Sequence, residues 1–153
     1  MQSRLRLAAQ ARPGKVESVT LTERQQQFVD RYAIIPDPQE RLAAVIAHRP
    51  KLKPLREHER TEHFLVRGCV SQVWLAGSRE ADGCHFRTDA DSPLVKGLAG
   101  LLCELHEGAA AEEIATFEPA LFEHLGIAQN LSPTRLNGLA QVQATIRKIA
   151  LGS

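Results

Sequence analysis

The chain lacks the features by which many function classes declare themselves. No apolar run approaches the length needed to cross a bilayer. Charge of one sign is not in excess: 19 Lys and Arg against 18 Asp and Glu give a formal net charge of +1. That balance gives no reason to expect nucleic acid or a membrane surface as partner. There is no Cys-x-x-Cys, no paired histidine motif, no Gly-rich phosphate loop, no Gly-x-Ser-x-Gly elbow and no obvious carboxylate pair. Spacing therefore predicts no metal site, even though six histidines and three cysteines would suffice in number. Only Cys84 and His85 are adjacent, and neighbours on a strand point to opposite faces.

What is present fits one soluble domain. The 153 residues can bury a real core, and a 43% hydrophobic fraction with 24% charged residues is ordinary for a globular protein. Cys69, Cys84 and Cys103 are an odd number, widely spaced. That argues against a disulfide framework and predicts a reducing cytosol. Residues 1–20 lack steady periodicity and contain Pro13-Gly14, so they read as an N-terminal extension to a domain spanning 21–153. The extension has no apolar core of a secretory signal. Its arginines and alanines suit a transit peptide in composition, but a frayed or weakly helical tail is the preferred reading.

Periodicity predicts an α+β fold. A helix should begin near Thr22 with Phe28, Val29, Tyr32 and Ala33 on one face, and Pro36 should end it. Asp37-Pro38 restarts the chain as a second helix with Leu42, Val45 and Ile46 buried. Pro50 and Pro54 bracket a basic connector, and Arg56 to Arg60 reads as a solvated linker. Three strand candidates follow, at Glu62–Arg67, about Gln72–Ala76 and Cys84–Thr88, with Gly77 to Gly83 as a turn. They predict a small three-stranded antiparallel sheet with one wet face carrying His85 and Arg87. Ser92-Pro93 opens the most buried helix, whose Gly97 and Gly100 cost about 1 kcal/mol each in propensity and imply close packing. Short helices are expected around 111–115 and 119–124. Ser132-Pro133 starts a terminal helix with Leu139, Val142, Ile146 and Ile149 as its stripe.

Arg67-Gly-Cys-Val-Ser-Gln-Val-Trp-Leu75 is the stretch that suggests chemistry. Cys69 follows Gly68, and the strand-like run from Gln72 anchors one end of a tight loop. A thiol there, held by rigid neighbours, can meet another protein's reactive group. The plain alternative is a small apolar residue that happens to be cysteine. Arg67 or loop amides would favour the thiolate; an apolar resting pocket would keep the thiol neutral and quiet. Cys103 and Cys84 read as core.

That stretch resembles the active-cysteine motif of the SufE family, which includes CsdE-type proteins. Pro36-Asp-Pro-Gln-Glu-Arg-Leu42 is similar to the family's second-helix entry. Asp91 with Leu94-Val-Lys-Gly-Leu98 resembles its central helix. Leu131-Ser-Pro-Thr-Arg135 with Asn137-Gly-Leu139 resembles its C-terminal block. Together they cover about residues 24–150.

The resemblance implies a fold like that of the IscU scaffold proteins. It implies a sulfur carrier that takes persulfide sulfur from a SufS- or CsdA-like cysteine desulfurase onto Cys69. The carrier enhances that enzyme rather than acting independently, needs no cofactor of its own, and delivers to an iron–sulfur scaffold or other acceptor. Gly68 would let the loop swing outward. Ser71 and loop amides would orient the sulfur, unless Ser71 caps the strand. Arg135 would be an active-site neighbour, unless it simply faces water in the first helical turn. Asp91 would contribute to partner docking, unless it caps a helix. Val70 departs from the glutamine usual in the family and Asn130 from its common histidine. Remaining alternatives are a CsdE-type relay to tRNA or cofactor modification, a redox-sensing adaptor module, and a thiol enzyme pairing Cys69 with a histidine base.

Overall fold

The structure is a computed structural model that describes residues 19–48 and 52–152. The N-terminal extension expected over 1–20 falls almost wholly outside these residues, as do Pro50 and Lys51 of the expected basic connector.

Six α-helices and one hairpin organise the described residues. Helix α1 (Leu21–Ala33) opens on Thr20, two residues before the expected cap, because Thr20 and Glu23 form a reciprocal capping box. Its buried face is Leu21, Gln25, Phe28 and Tyr32; Ala33, expected there, is exposed. Helix α2 (Pro38–Ala47) starts as expected on Asp37 with proline at the first position. Of its expected stripe only Val45 is fully buried.

The segment 56–60 is solvated as expected except at Glu59. Glu57–Glu59 forms a 3-10 turn, and Glu59 is only 4% exposed. Its carboxylate takes a two-pronged ion pair from Arg87, which holds the Glu59 carboxyl down to about 2. The same pair explains why the Arg87 side chain, expected on a wet sheet face, is 19% exposed. A charge run whose partner lies 28 residues away cannot be told from a solvated one by local pattern.

Strands β1 (Val73–Glu80) and β2 (Gly83–Ala90) pair antiparallel from Val73↔Ala90 to Glu80↔Gly83, leaving Ala81-Asp82 as a two-residue turn. The sheet has two strands rather than the three expected. Glu62–Phe64 winds into a 3-10 turn, and the would-be first strand contributes only an isolated bridge from Leu65 to Trp74. The Val66 N–H also donates to Val73 O at 2.8 Å before Gly68 turns the chain away. Gly77 belongs to the ladder, not to a turn. A Cβ there would lie 2.9 Å from the Phe86 ring and 3.1 Å from Ile149, so its lack of a side chain serves close packing.

Helix α3 (Pro93–His106) runs through the centre, with every residue from Gly97 to His106 buried. Gly97 lets α2 approach as the sequence implies: a Cβ there would sit 2.8 Å from Ile46 Cα. Arg24 caps the far end of α3, its Nη1 donating to Leu105 O and Glu107 O at 3.0 and 2.6 Å. Short α4 (Ala111–Thr116) and α5 (Leu121–His124) lead to α6 (Pro133–Leu151), which packs on β1, α3 and α4. Its buried residues are Leu139, Val142, Ile146 and Ala150, with Ile149 packed partly against the core.

His106 is fully buried between α3 and α6. Its Nδ1 donates to Leu102 O at 2.8 Å, and burial lowers its pKa from 6.5 to about 4. The neutral ring is favoured on folding, so this stability is complete above pH 6.5 and is lost as pH falls towards 4. Between pH 7 and pH 5, His106 should contribute a loss of roughly 2 kcal/mol in urea titrations, which the raised pKa of His85 offsets in part. The His106→Leu variant should lose at least about 1 kcal/mol less over that interval.

Candidate functional site

Residues 67–72 form a loop that is firmly bonded at its base and lightly held at its tip. On one side the Leu65–Trp74 bridge and the Val66–Val73 hydrogen bond close the base. On the other, the Gln72 N–H donates to Asp91 Oδ1 at 3.1 Å, and the Asp91 N–H returns a bond to Gln72 O at 3.1 Å. Asp91 therefore clamps the loop; the cap of α3 is Ser92, whose Oγ accepts from Val95 N–H. At the tip the contacts are longer. Cys69 Sγ lies 3.5 Å from Gly138 O, and Asn137 Nδ2 reaches Gly68 O at 3.5 Å. Gly68 has φ +88°, a left-handed conformation that other residues resist.

Cys69 is half-buried and lines a cavity of about 190 Å³. The loop contributes Val70 and Ser71 to its lining, α3 contributes Val95, and α6 with its cap contributes Ser132, Thr134, Arg135, Gly138 and Leu139. Removal from water raises the Cys69 thiol above its ordinary pKa. Of the two arrangements open from the sequence, the structure has Cys69 in the pocket, where burial favours the neutral thiol. Arg67 does not face the sulfur: it is 72% exposed and pairs with Glu62 at 3.3 Å. Cys84 and Cys103 are both fully buried, and burial raises both thiols. All three cysteines are free.

The structure thus brings Cys69, Ser71 and Arg135 around one cavity, puts Gly68 at the turn and Asp91 at the base, and turns Arg67 outward. Sequence reasoning did not single out Val95, Gly138 and Leu139 as site residues. Gly138 carried a signal, since an interior helical glycine implies a close approach. A Cβ on it would lie 3.5 Å from Cys69 Sγ. Away from the loop, Glu80, Asp82 and His85 gather at the hairpin tip with ligand atoms within 4.8 Å. Both His85 nitrogens already bond carboxylates, Asp82 at 2.8 Å and Glu107 at 2.6 Å, which raises its pKa. No helix of the described residues is long and apolar enough to cross a membrane.

Comparison with known proteins places these features in company. A SufE family profile, described as an Fe-S metabolism associated domain, matches residues 26–150. An uncharacterized SufE-like protein of Rhizobium etli is 34% identical over 81% of this chain and 87% of its own. One from Synechocystis is 31% identical over 82% and 79%. The SufE-like protein 1, chloroplastic/mitochondrial, of Arabidopsis thaliana is 35% identical over 82% of this chain but only 34% of its own. A hypothetical protein from Thermus thermophilus, solved in solution, shares the fold at TM-score 0.69 and 21% identity, over 84% of this chain and 94% of that one.

Alkylation with iodoacetamide at pH 7, followed by peptide mass, should label Cys69 first and leave Cys84 and Cys103 unmodified in the folded protein. The rate at Cys69 should be several-fold below that of a free cysteine peptide. Gly138→Leu fills the cavity and should bring that rate up to the peptide's, while Gly138→Ala should leave it within about twofold and melt no lower than wild type.

Proposed function

Because this chain belongs to the SufE family of Fe-S metabolism associated domains, we propose that it carries sulfur on Cys69 between a cysteine desulfurase and an iron–sulfur assembly protein. The observation that carries this reading is the half-buried thiol on a loop whose base is fixed and whose tip is held by 3.5 Å contacts. A carrier needs both halves of that arrangement. Retracted, the sulfur is kept from cytosolic thiols and oxidants that would strip it by exchange or oxidation. Extended, it reaches into a partner.

In the transfer step, the Cys69 thiolate attacks the outer sulfur of the partner's cysteine persulfide. A sulfur–sulfur bond forms at Cys69 as the partner's breaks, and the partner cysteine leaves as a thiolate. No external oxidant or reductant is needed. The pyridoxal phosphate that cleaves the carbon–sulfur bond resides on the partner, which is SufS- or CsdA-like. Burial raises the Cys69 thiol above its ordinary pKa, so the loop's exit restores the thiolate fraction of a free cysteine and couples reactivity to docking. Gly68 is the hinge. Val70, 83% exposed beside the nucleophile, and the outward Arg67 give the partner its first contacts. Asp91 acts at this surface by fixing the loop base, and Ser71 lines the pocket the sulfur returns to. Three free thiols support a cytoplasmic setting.

Incubation with a cysteine desulfurase and cysteine, read by intact mass without reductant, should add one sulfur atom to this chain. Cys69→Ala should abolish the gain, whereas Cys84→Ala and Cys103→Ala should keep it. Desulfurase turnover should rise several-fold with wild type and not with Cys69→Ala. An unchanged mass together with unchanged turnover would remove the carrier reading.

A further inference from the structure

The hairpin carries chemistry at the end away from the loop. Strand β1 takes the chain from the loop base at Val73 out to Glu80, about 23 Å along the strand. Three groups converge there. Glu80 ends β1, Asp82 is the second residue of the turn, and His85 is the third of β2. The register sets Ser78 opposite His85 and Glu80 opposite Gly83, so Glu80 and His85 share one face of the sheet. One ligand atom from each of the three lies within 4.8 Å of the other two.

Two exposed carboxylates alone make no site; the imidazole beside them changes the chemistry. Its Nδ1 bonds Glu107 Oε2 at 2.6 Å, and because a carboxylate only accepts, Nδ1 holds a proton. Glu107 stands outside the turn, just past α3, where the Phe86 N–H fixes its other oxygen at 2.8 Å. A carboxylate on the rear nitrogen is a partner that metal-bound histidines take. It sets the tautomer, aims the ring and raises the basicity of the nitrogen in front. That front nitrogen, Nε2, faces Asp82 Oδ1 at 2.8 Å. A proton bridges the pair, and a metal ion can replace it. The support is stiff as well. The Cys84 N–H donates to Ala109 O at 2.9 Å, and the Gly108 N–H donates to Cys84 O at 2.7 Å. Gly83 meets Gly108 so closely that a Cβ on it would lie 2.3 Å from Gly108 O. The Ser78 hydroxyl holds Glu80 Oε2 at 2.7 Å. Ligands on so rigid a frame are already near their bound geometry.

We propose that Glu80, Asp82 and Nε2 of His85 bind one divalent transition-metal ion, with Glu107 as the positioning residue for the imidazole. The nitrogen ligand selects against magnesium and calcium, which take oxygen. Two carboxylates, one imidazole and one water make the four-ligand set that zinc accepts. The Nε2 proton leaves to solvent as the metal–nitrogen bond forms, and nothing is oxidised or reduced. The two ligating carboxylates balance the charge of the ion. The site lies at the other end of the hairpin from Cys69, so it stands or falls apart from the sulfur-carrying role.

Zinc chloride titrated into the full chain tests this, by calorimetry and by nitrogen NMR of the histidine rings. The Cys69→Ala background removes the half-buried thiol as a competing ligand. One zinc ion should bind per chain, with the Nε2 resonance of His85 moving and Nδ1 keeping its proton. Magnesium at the same concentration should move neither. Glu80→Gln and Asp82→Asn should each weaken zinc binding about tenfold or more, and asparagine still suits the two-residue turn. Glu107→Gln keeps an acceptor for the Phe86 N–H yet frees the ring, and should also cost about tenfold or more. Affinities are compared on variants whose zinc-free melting shows them folded; if Glu107→Gln does not fold, the two turn variants decide. No binding up to about 1 mM zinc overturns the proposal. So does binding that Asp82→Asn and His85→Gln leave unchanged, since other histidines then hold the ion. Magnesium binding equal to that of zinc counts against it too, because a carboxylate pair without the imidazole would explain that. An affinity unchanged in folded Glu107→Gln removes the positioning role.

Discussion

One thiol is drawn out of water by a loop that is strong where it joins the fold and weak where the sulfur sits. The contrast is set by backbone N–H hydrogen bonds of 2.8 to 3.1 Å at the base against a weak thiol donor and one 3.5 Å amide contact at the tip. Net hydrogen bonds contribute of order 1 kcal/mol when well formed, and long ones less. The tip is therefore held less tightly than the base, which is registered to the sheet. The raised thiol pKa, the cavity and the exposed Val70 all follow from which side of that division each atom occupies.

The frame behind the loop is rigid for separate reasons. Helix α3 is enclosed along ten consecutive residues, and Gly97 brings α2 against it at backbone distance. The Arg87–Glu59 pair ties the 3-10 turn before the loop to β2, while Arg60 reaches Asp89 through an Nε contact of 2.9 Å. Those ties hold the chain on the amino side of the loop as firmly as Asp91 holds the other. Neutral His106 of α3 lies 3.4 Å from Gln143 Nε2 of α6, and α6 supplies the far wall of the cavity.

Much of this was legible in the residues because local rules agreed with the global fold. Asp37-Pro38, Ser92-Pro93 and Ser132-Pro133 each mark a helix start, and all three caps form. Cys103 and Cys84 fall in the core as alternation and apolar context imply. The errors arose where a distant partner decided. Glu62–Arg67 alternates like a strand, yet a 3-10 turn and Gly68 leave it two residues of pairing, so the sheet stops at two strands. Gly77 looks like punctuation and is a packing device. At the site, the four ordered sequence blocks pointed to Cys69 and Arg135, which the structure brings to one cavity. They could not show that Gly138 lies against Cys69, which depends on how α6 crosses the loop, or that Arg67 turns away to Glu62.

The sequence contains a single tryptophan, and it occupies the strand position that bridges Leu65. Its indole is only partly covered, and its carbonyl accepts from Thr88 at 2.7 Å. The protein thus carries a built-in optical reporter at the base of the Cys69 loop. Emission from that one fluorophore is sensitive to any change of packing at the base, and no dye is required.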